Sequence, residues 1–372
     1  MNLTTKIKEQ GKKIGLDEVK ITAAEPFPAV KDFLFKMKEE DKLSKFVKGD
    51  LDLITDPKQV LSTARSIIVT AISYQVDINQ KPNLKEELRG KLSRFTWGED
   101  YHNVLGKKLD QLIDFLNQQV PAVKTKKFVD TGPTVDRALA RRAGIGWQGK
   151  NCSIIHPEYG SWIFIGGIIT DLELKLDLPL ENKCGDCQKC IEACPTGALE
   201  EPYLLNSSKC LGYVTLSRGY LKEEERQTMG TRLWGCDTCQ EVCPYNQEAE
   251  SGNHSEFQPQ TIEVYPQLPD LLTLTDREYQ EKFGPTAMNW RGKRPIQRNA
   301  AVIMGNLKNP KAIPYLIEGL KDSKPIVRAH SAWALGEIGV ANVVADLEQA
   351  LQIEQTKQVT EELRSAIQKL SS

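Results

Sequence analysis

Eight of the nine cysteines fall between residues 184 and 243, at spacings that point to metal–sulfur chemistry. CGDCQKCIEACP sets Cys184, Cys187, Cys190 and Cys194 in the order C-x2-C-x2-C-x3-C-P. In such a run three closely spaced thiolates wrap three corners of a 4Fe–4S cube, and the fourth reaches the other cluster of a pair. A second half is therefore required. GCDTCQEVCP supplies Cys236, Cys239 and Cys243 as C-x2-C-x3-C-P, one thiol short. Cys210 is the unassigned cysteine of the interval, and it completes the set across the insertion LGYVTLSRGYLKEEERQTMGTRLWG. The pairing rule then gives Cys184, Cys187, Cys190 and Cys243 to one cluster and Cys210, Cys236, Cys239 and Cys194 to the other. Structural zinc is the competing chemistry, but it does not require two C-x3-C-P endings. Cys152, in NCSII, reads as a small buried hydrophobe in a strand and takes no role.

Two linked clusters move single electrons and leave organic bonds alone, so they imply an external one-electron donor, such as a ferredoxin or flavodoxin, and an acceptor elsewhere. Asp130 closes the strand-like TKKFVD and opens TGP, the usual address of a reactive group in α/β folds. Its alternative role is to cap the helix predicted from Pro133. Asp136 is expected to stabilise the positive end of that helix. GIGWQG at 144–149 matches G-x-G-x-x-G, yet it closes a helix and precedes a strand, the reverse of a dinucleotide-binding turn. It reads instead as a glycine loop approaching some other ligand. Asp100, His102 and Gly106 come near the D-x-H-x-x-G pattern that presents a histidine to cobalt, with the glycine one residue late; an ordinary helix-start histidine is the favoured reading. NWRGKRPIQR gathers Arg291, Lys293, Arg294 and Arg298 beside Trp290. Clustered cations release counterions from phosphates and an aromatic stacks on bases, although a solvated basic loop has the same composition.

The elements that must position these residues read as a multidomain α+β protein. Residues 1–172 alternate helix and strand: SIIVTAISY and TKKFVD as strands, YHNVLGKKLDQLIDFLNQQV and PTVDRALARRAG as helices, CSIIHPEYGSWIFIGGIIT as a hairpin-like pair. This is the N-terminal domain, of α/β or α+β type, with α/β expected. Residues 173–250 form a ferredoxin-like double 4Fe–4S domain, and 251–294, rich in Pro, Gln, Glu and Ser, a linker carrying the basic patch. From 295 to 372 a repeat runs: AAVIMGNL at 300–307 aligns with SAWALGEI at 331–338, and RSAIQKL is a weaker third copy. That spacing predicts HEAT-like helix pairs, a binding surface.

The chain has 372 residues, more than one core usually covers, so two or three units are expected. With 49 basic and 50 acidic residues, an anionic partner must meet a local patch rather than a global field. The polar start MNLTTKIKEQGKKIG has no apolar signal core, and IFIGGII is too short to span a bilayer. A cytoplasmic monomer without a membrane partner is the expectation.

DTGPTVDRALARRAGIGWQGKN, the split double-cluster motif and the HEAT-like tail together resemble the epoxyqueuosine reductases over nearly the whole chain. The resemblance implies reduction of epoxyqueuosine to queuosine at the tRNA wobble position, the last step of queuosine synthesis. It implies a cobalamin held base-off over the N-terminal domain, which thereby becomes a cobalamin-binding domain, and Asp130 as proton donor. By the same resemblance the cobalamin contacts fall on Trp97, Tyr101, His102, Arg141, Gly146, Gln148 and Lys150. The kindred reductive dehalogenases are a rival reading, disfavoured by the repeat tail and the absence of a twin-arginine signal. A non-catalytic ferredoxin-type electron carrier is another, disfavoured by the glycine loop and the Asp130 segment.

Overall fold

The computed structural model describes residues 2–47, 49–78 and 82–371. The chain divides into two compact units, each discontinuous in sequence. The first comprises Met1–Asp77, Glu99–Cys210 and Thr238–Gln258; the second comprises Ile78–Gly98, Leu211–Asp237 and Pro259–Ser372.

The first unit is built on a four-stranded sheet of β1 (Glu18–Ala23), β2 (Ser66–Ser73), β3 (Thr125–Val129) and β4 (Ile163–Thr170), in the order β1-β2-β4-β3. Every pairing is antiparallel, with Ile21 opposite Ile68, Ser66 opposite Thr170 and Val129 opposite Gly166. The mixed class holds, in its α+β form: every pairing in this sheet is antiparallel and no parallel crossover joins these strands. All eight residues of β2 are buried, which explains why it is mostly apolar rather than alternating. The predicted hairpin also divides differently. Ile154–Ile155 pairs with Trp147–Gln148, while β4 enters the middle of the sheet.

The helix Tyr101–Gln119 buries Val104, Leu105, Leu109, Leu112 and Leu116, one face at helical spacing. Its first turn is held by the Asp100 carboxylate, which accepts the His102 backbone N–H at 2.9 Å. Gly166 and Gly167 of β4 let helix and sheet close up: a Cβ would stand 2.8 Å from a Leu105 methyl at the first and 2.3 Å from the Ile68 carbonyl oxygen at the second. The helix Asp136–Ala143 starts three residues after the predicted Pro133 and ends on Gly144 with φ 81°. Cys152 is buried at a turn with φ 66°, not within a strand, and burial raises its thiol to about 11.

In the second unit the helices Arg294–Leu307 and Pro325–Ile338 repeat 31 residues apart, followed by Lys357–Ser371. Gly305 and Gly336, equivalent in the repeat, lie where a Cβ would come 2.9 Å from the Ala334 Cα and 3.1 Å from the Ala366 Cα, so each helix packs tightly on the next. The presumed linker is folded here: Leu268–Leu272 and Asp276–Phe283 are helices with buried apolar faces. The insertion after Cys210 belongs to this unit, and Arg298 explains why. It is fully buried and donates to the carbonyls of Val214, Thr215, Ser217 and Gly219 at 2.8–3.3 Å. Asn299 adds bonds to the Thr215 and Leu233 carbonyls, both 2.8 Å. Among the described residues no helix is long and apolar enough to cross a membrane.

Candidate active site and cluster ligands

β3 stops at Val129, and the next residue turns. Asp130 has φ 50°, and the Thr131 N–H reaches back to the Val129 carbonyl at 2.5 Å. A three-residue turn with positive φ at a side-chain-bearing residue stores strain, and such strain gathers at functional sites. The turn projects the Asp130 carboxylate, 62% exposed, toward the start of the Tyr101–Gln119 helix. The Tyr101 hydroxyl donates to Asp130 Oδ2 at 2.7 Å. His102 Nε2 lies 3.7 Å from the same oxygen, an ion-pair rather than a hydrogen-bond distance, while His102 Nδ1 is 2.7 Å from Asp100 Oδ1. On the far side the Asp130 N–H donates to Asp136 Oδ2 at 2.9 Å.

The charges sort accordingly. Desolvation opposes ionisation of both members, but Asp100 and Asp130 outweigh it at His102, raising the imidazole to about 9. At Asp130 partial desolvation would raise the carboxyl, yet His102 and Tyr101 prevail and hold it below the ordinary carboxylate value. A donor acting through Asp130 alone would require the opposite shift. The proton present at neutral pH therefore resides on His102, and the two groups titrate as a pair. Behind them runs an aromatic stack: Tyr101 on Phe164 at 4.1 Å and Phe164 on Tyr74 at 4.2 Å. Phe164 and Tyr74 gave no sequence signal, for they look like ordinary strand residues.

The other candidates scatter. Arg141 donates to Gln148 Oε1 at 3.2 Å, and the Lys150 ammonium to the Gly185 carbonyl at 2.6 Å. Asn182 donates to the Gln148 carbonyl at 2.8 Å and accepts the Cys184 N–H at 2.9 Å. The glycine loop is thus stitched to the first cysteine run, and the ligand segment is what it approaches. Gly146 serves packing, since a Cβ there would stand 2.3 Å from the Ile155 carbonyl oxygen. Trp97 is 2% exposed in the second unit, its indole N–H given to the Leu92 carbonyl, so it offers no open ring face.

Cys243 packs with Cys184 against Trp147, Ile155 and Tyr245. Cys190 and Cys243 stand close enough to feel one another's charge, as do Cys243, Cys184 and Cys187, although Cys243 is 53 residues beyond Cys190 in the chain. The pairing rule would join these four thiols in one cluster. Burial raises the Cys190 and Cys243 thiols. Burial also acts on Cys194, but backbone N–H groups of Leu199, Thr196 and Ala198 and the Thr196 hydroxyl prevail and lower it, the state a ligating thiolate needs. The short helices Lys189–Glu192 and Thr238–Glu241, which carry Cys190 and Cys239, pack together.

The basic run is partly consumed by structure. Arg298 is withdrawn from it, since its guanidinium is spent on buried carbonyls and burial lowers it to about 9. Lys293 pairs with Asp276 at 2.9 Å and Arg294 with Asp322 at 3.3 Å. Arg291 donates to the Leu216 carbonyl at 2.7 Å and lies over Trp290, which is 52% exposed.

Two cysteine runs whose short helices pack together, a carboxylate on a strained turn beside a cationic histidine and a helical-repeat unit are the marks of an iron–sulfur oxidoreductase. Comparison with known proteins sharpens the class. Residues 55–131 match the family model described as Epoxyqueuosine reductase QueG, DUF1730; residues 183–246 match a 4Fe-4S double cluster binding domain, and 291–368 match HEAT repeats. The chain is 42% identical to the epoxyqueuosine reductase of Bacillus anthracis, over 97% of this chain and 95% of that one. It is 41% identical to that of Bacillus subtilis (strain 168), over 98% and 95%. A solved epoxyqueuosine reductase crystallised with a tRNA-Tyr epoxyqueuosine-modified stem loop superposes with TM-score 0.96 at 41% identity, covering 100% of this chain and 99% of that one. The Streptococcus thermophilus enzyme gives 0.91 at 34% identity, with both chains fully covered. The chain belongs to the epoxyqueuosine reductase family.

Proposed function

We propose that this chain removes the epoxide oxygen of epoxyqueuosine at the wobble position of tRNA, using two electrons and two protons to leave the cyclopentene of queuosine and water. The observation that carries the chemical part is the Asp130–Tyr101–His102 constellation. It holds one transferable proton at neutral pH on the exposed side of a strained loop, where a departing oxygen could collect it. Asp130 is the group that delivers the proton and His102 the group that stores it. A solved Bacillus subtilis relative, described with its catalytic aspartate loop swung out of the active site, supports placing such a residue on a loop.

Cys184, Cys187, Cys190 and Cys243 would hold one 4Fe–4S cluster, and Cys210, Cys236, Cys239 and Cys194 the other. His102 Nε2, buried without a hydrogen-bond partner, fits the edge of a cobalamin site, with Tyr101 stacked beside it and Arg141, Gln148 and Lys150 as further polar contacts. When bound, the clusters supply single electrons and a base-off cobalamin stores reducing power as a supernucleophilic metal. Tyr101 orients the Asp130 carboxylate, and Asp100 fixes the imidazole. The tRNA partner follows from the relative solved with a stem loop. Trp290, Arg291, Lys293 and Arg294 are the contacts proposed here. The setting is a cytoplasmic monomer served by a ferredoxin or flavodoxin.

The test is anaerobic protein reconstituted with iron, sulfide and cobalamin, given excess reductant and an epoxyqueuosine stem loop. Queuosine formation that needs all three additions is expected. Full conversion without cobalamin would overturn the cofactor assignment, and no conversion at all would overturn the reaction.

A further inference from the structure

We propose that Asp136 is a positioning residue: its carboxylate clamps the strained turn that carries Asp130 and so aims the Asp130 side chain at Tyr101 and His102. The functional consequence rests on the reading of Asp130 given above; the clamp itself rests on geometry. Pairing in β3 ends at Val129 opposite Gly166, so the Asp130 N–H has no partner in the sheet. Asp136 Oδ2 takes it at 2.9 Å, and Asp136 Oδ1 takes the Thr134 hydroxyl at 2.5 Å. One carboxylate at the first turn of a helix thus ties down both ends of the segment 130–134. Without it the Asp130 N–H would be left unpaired and a turn with φ 50° would have nothing to hold it.

Both oxygens act as acceptors, an arrangement the ionised carboxyl serves best, since protonation turns one oxygen into a donor and weakens the other as an acceptor. The charged and titratable groups facing Asp136 are Asp130, Arg137 and the Tyr101 hydroxyl, with His102 and Asp100 reached through Asp130. Burial is the main influence and raises Asp136 to about 7; the charge of Asp130 adds to it, while the Thr134 hydroxyl, the Asp130 N–H and Arg137 oppose it. An acid raised in this way is ionised above that pH, so the clamp is strongest above about 7 and weaker below it.

The experiment follows the residue-130 amide by nitrogen-15 NMR in aspartate-labelled, cluster-loaded protein, with turnover measured in parallel. In the unaltered chain the Asp130 amide should shift with pH about a midpoint near 7. Thr134→Val, which keeps the carboxylate but removes a donor to it, should move that midpoint upward. Asp136→Asn should abolish the titration and lower kcat at least about tenfold with KM unchanged, as misaiming of a reacting group does. An Asp130 amide indifferent to both variants would overturn the clamp, and an unaltered kcat in Asp136→Asn, with Asp130→Asn impaired, would overturn its aiming role. Should Asp136→Asn fail to fold, the midpoint in Thr134→Val decides alone. The amide signal does not depend on turnover, so normal activity in Asp130→Asn would overturn the proton-donor reading while the titration still decides the clamp.

Discussion

His102 and Asp130 share one proton, and the pH at which they lose it is the most direct handle on the chemistry. With the imidazole raised to about 9, the pair stays protonated across the neutral range and gives it up as pH rises through that value. The same interaction stabilises the fold fully below the ordinary histidine pKa near 6.5 and is lost through about 9. The alkaline limb of kcat should therefore fall near pH 9 in the unaltered chain and move down by at least about two units in His102→Gln, where a carboxyl must hold the proton unaided. A pH–rate profile on the stem loop checks this, and a limb that does not move would remove His102 from the proton path. Asp130 was legible in the sequence because it ends a strand before T-G-P. Its dependence on Tyr101, His102 and Asp136 was not, since those bonds span up to 29 residues and arise only when the helix start meets the strand end.

Element by element, periodicity carried the reading wherever one face is buried. The Tyr101–Gln119 helix and the 31-residue repeat stand as read. What misled was composition without periodicity. The segment 251–294 looked like a linker because its short helices are polar outside, while Leu268, Leu271, Leu272, Tyr279 and Phe283 are buried. Arg298 looked like a phosphate contact because a charge in a basic run gives no sign of burial. It instead neutralises carbonyls at the end of the short helix Leu211–Val214, where the peptide dipoles are negative. Arg298→Met should therefore cost about 3 kcal/mol or more, because several buried carbonyls lose their donor. Urea denaturation measures this cost. The salt dependence of tRNA binding should stay as it is in the same variant, and a flatter slope would return Arg298 to the phosphate contacts.

Across the whole molecule, the chain leaves the first unit after Cys210 and returns at Thr238, so the split cysteine motif reflects an excursion through the repeat unit. Spacing alone singled out the candidate ligands, because thiolate geometry is so restrictive, while the path of the excursion depended on buried contacts from Arg298 and Asn299. Anaerobic protein should carry about eight iron atoms per chain, and Cys243→Ala should disturb the cluster of Cys184 rather than that of Cys210; an electron-spin spectrum showing the reverse would exchange the two assignments. For the nucleic-acid face, Arg291→Gln with Arg294→Gln should flatten the salt dependence of stem-loop binding by about one unit per lost phosphate contact, and an unchanged slope would leave the run as structure only. The central claim is that this constellation protonates the oxygen leaving an epoxide, and Asp130→Asn tests it most directly. Product formation on epoxyqueuosine-containing tRNA, with excess reductant and both clusters loaded, should fall by about 100-fold or more while tRNA binding and cluster reduction persist. Near-normal turnover by that variant would contradict the account.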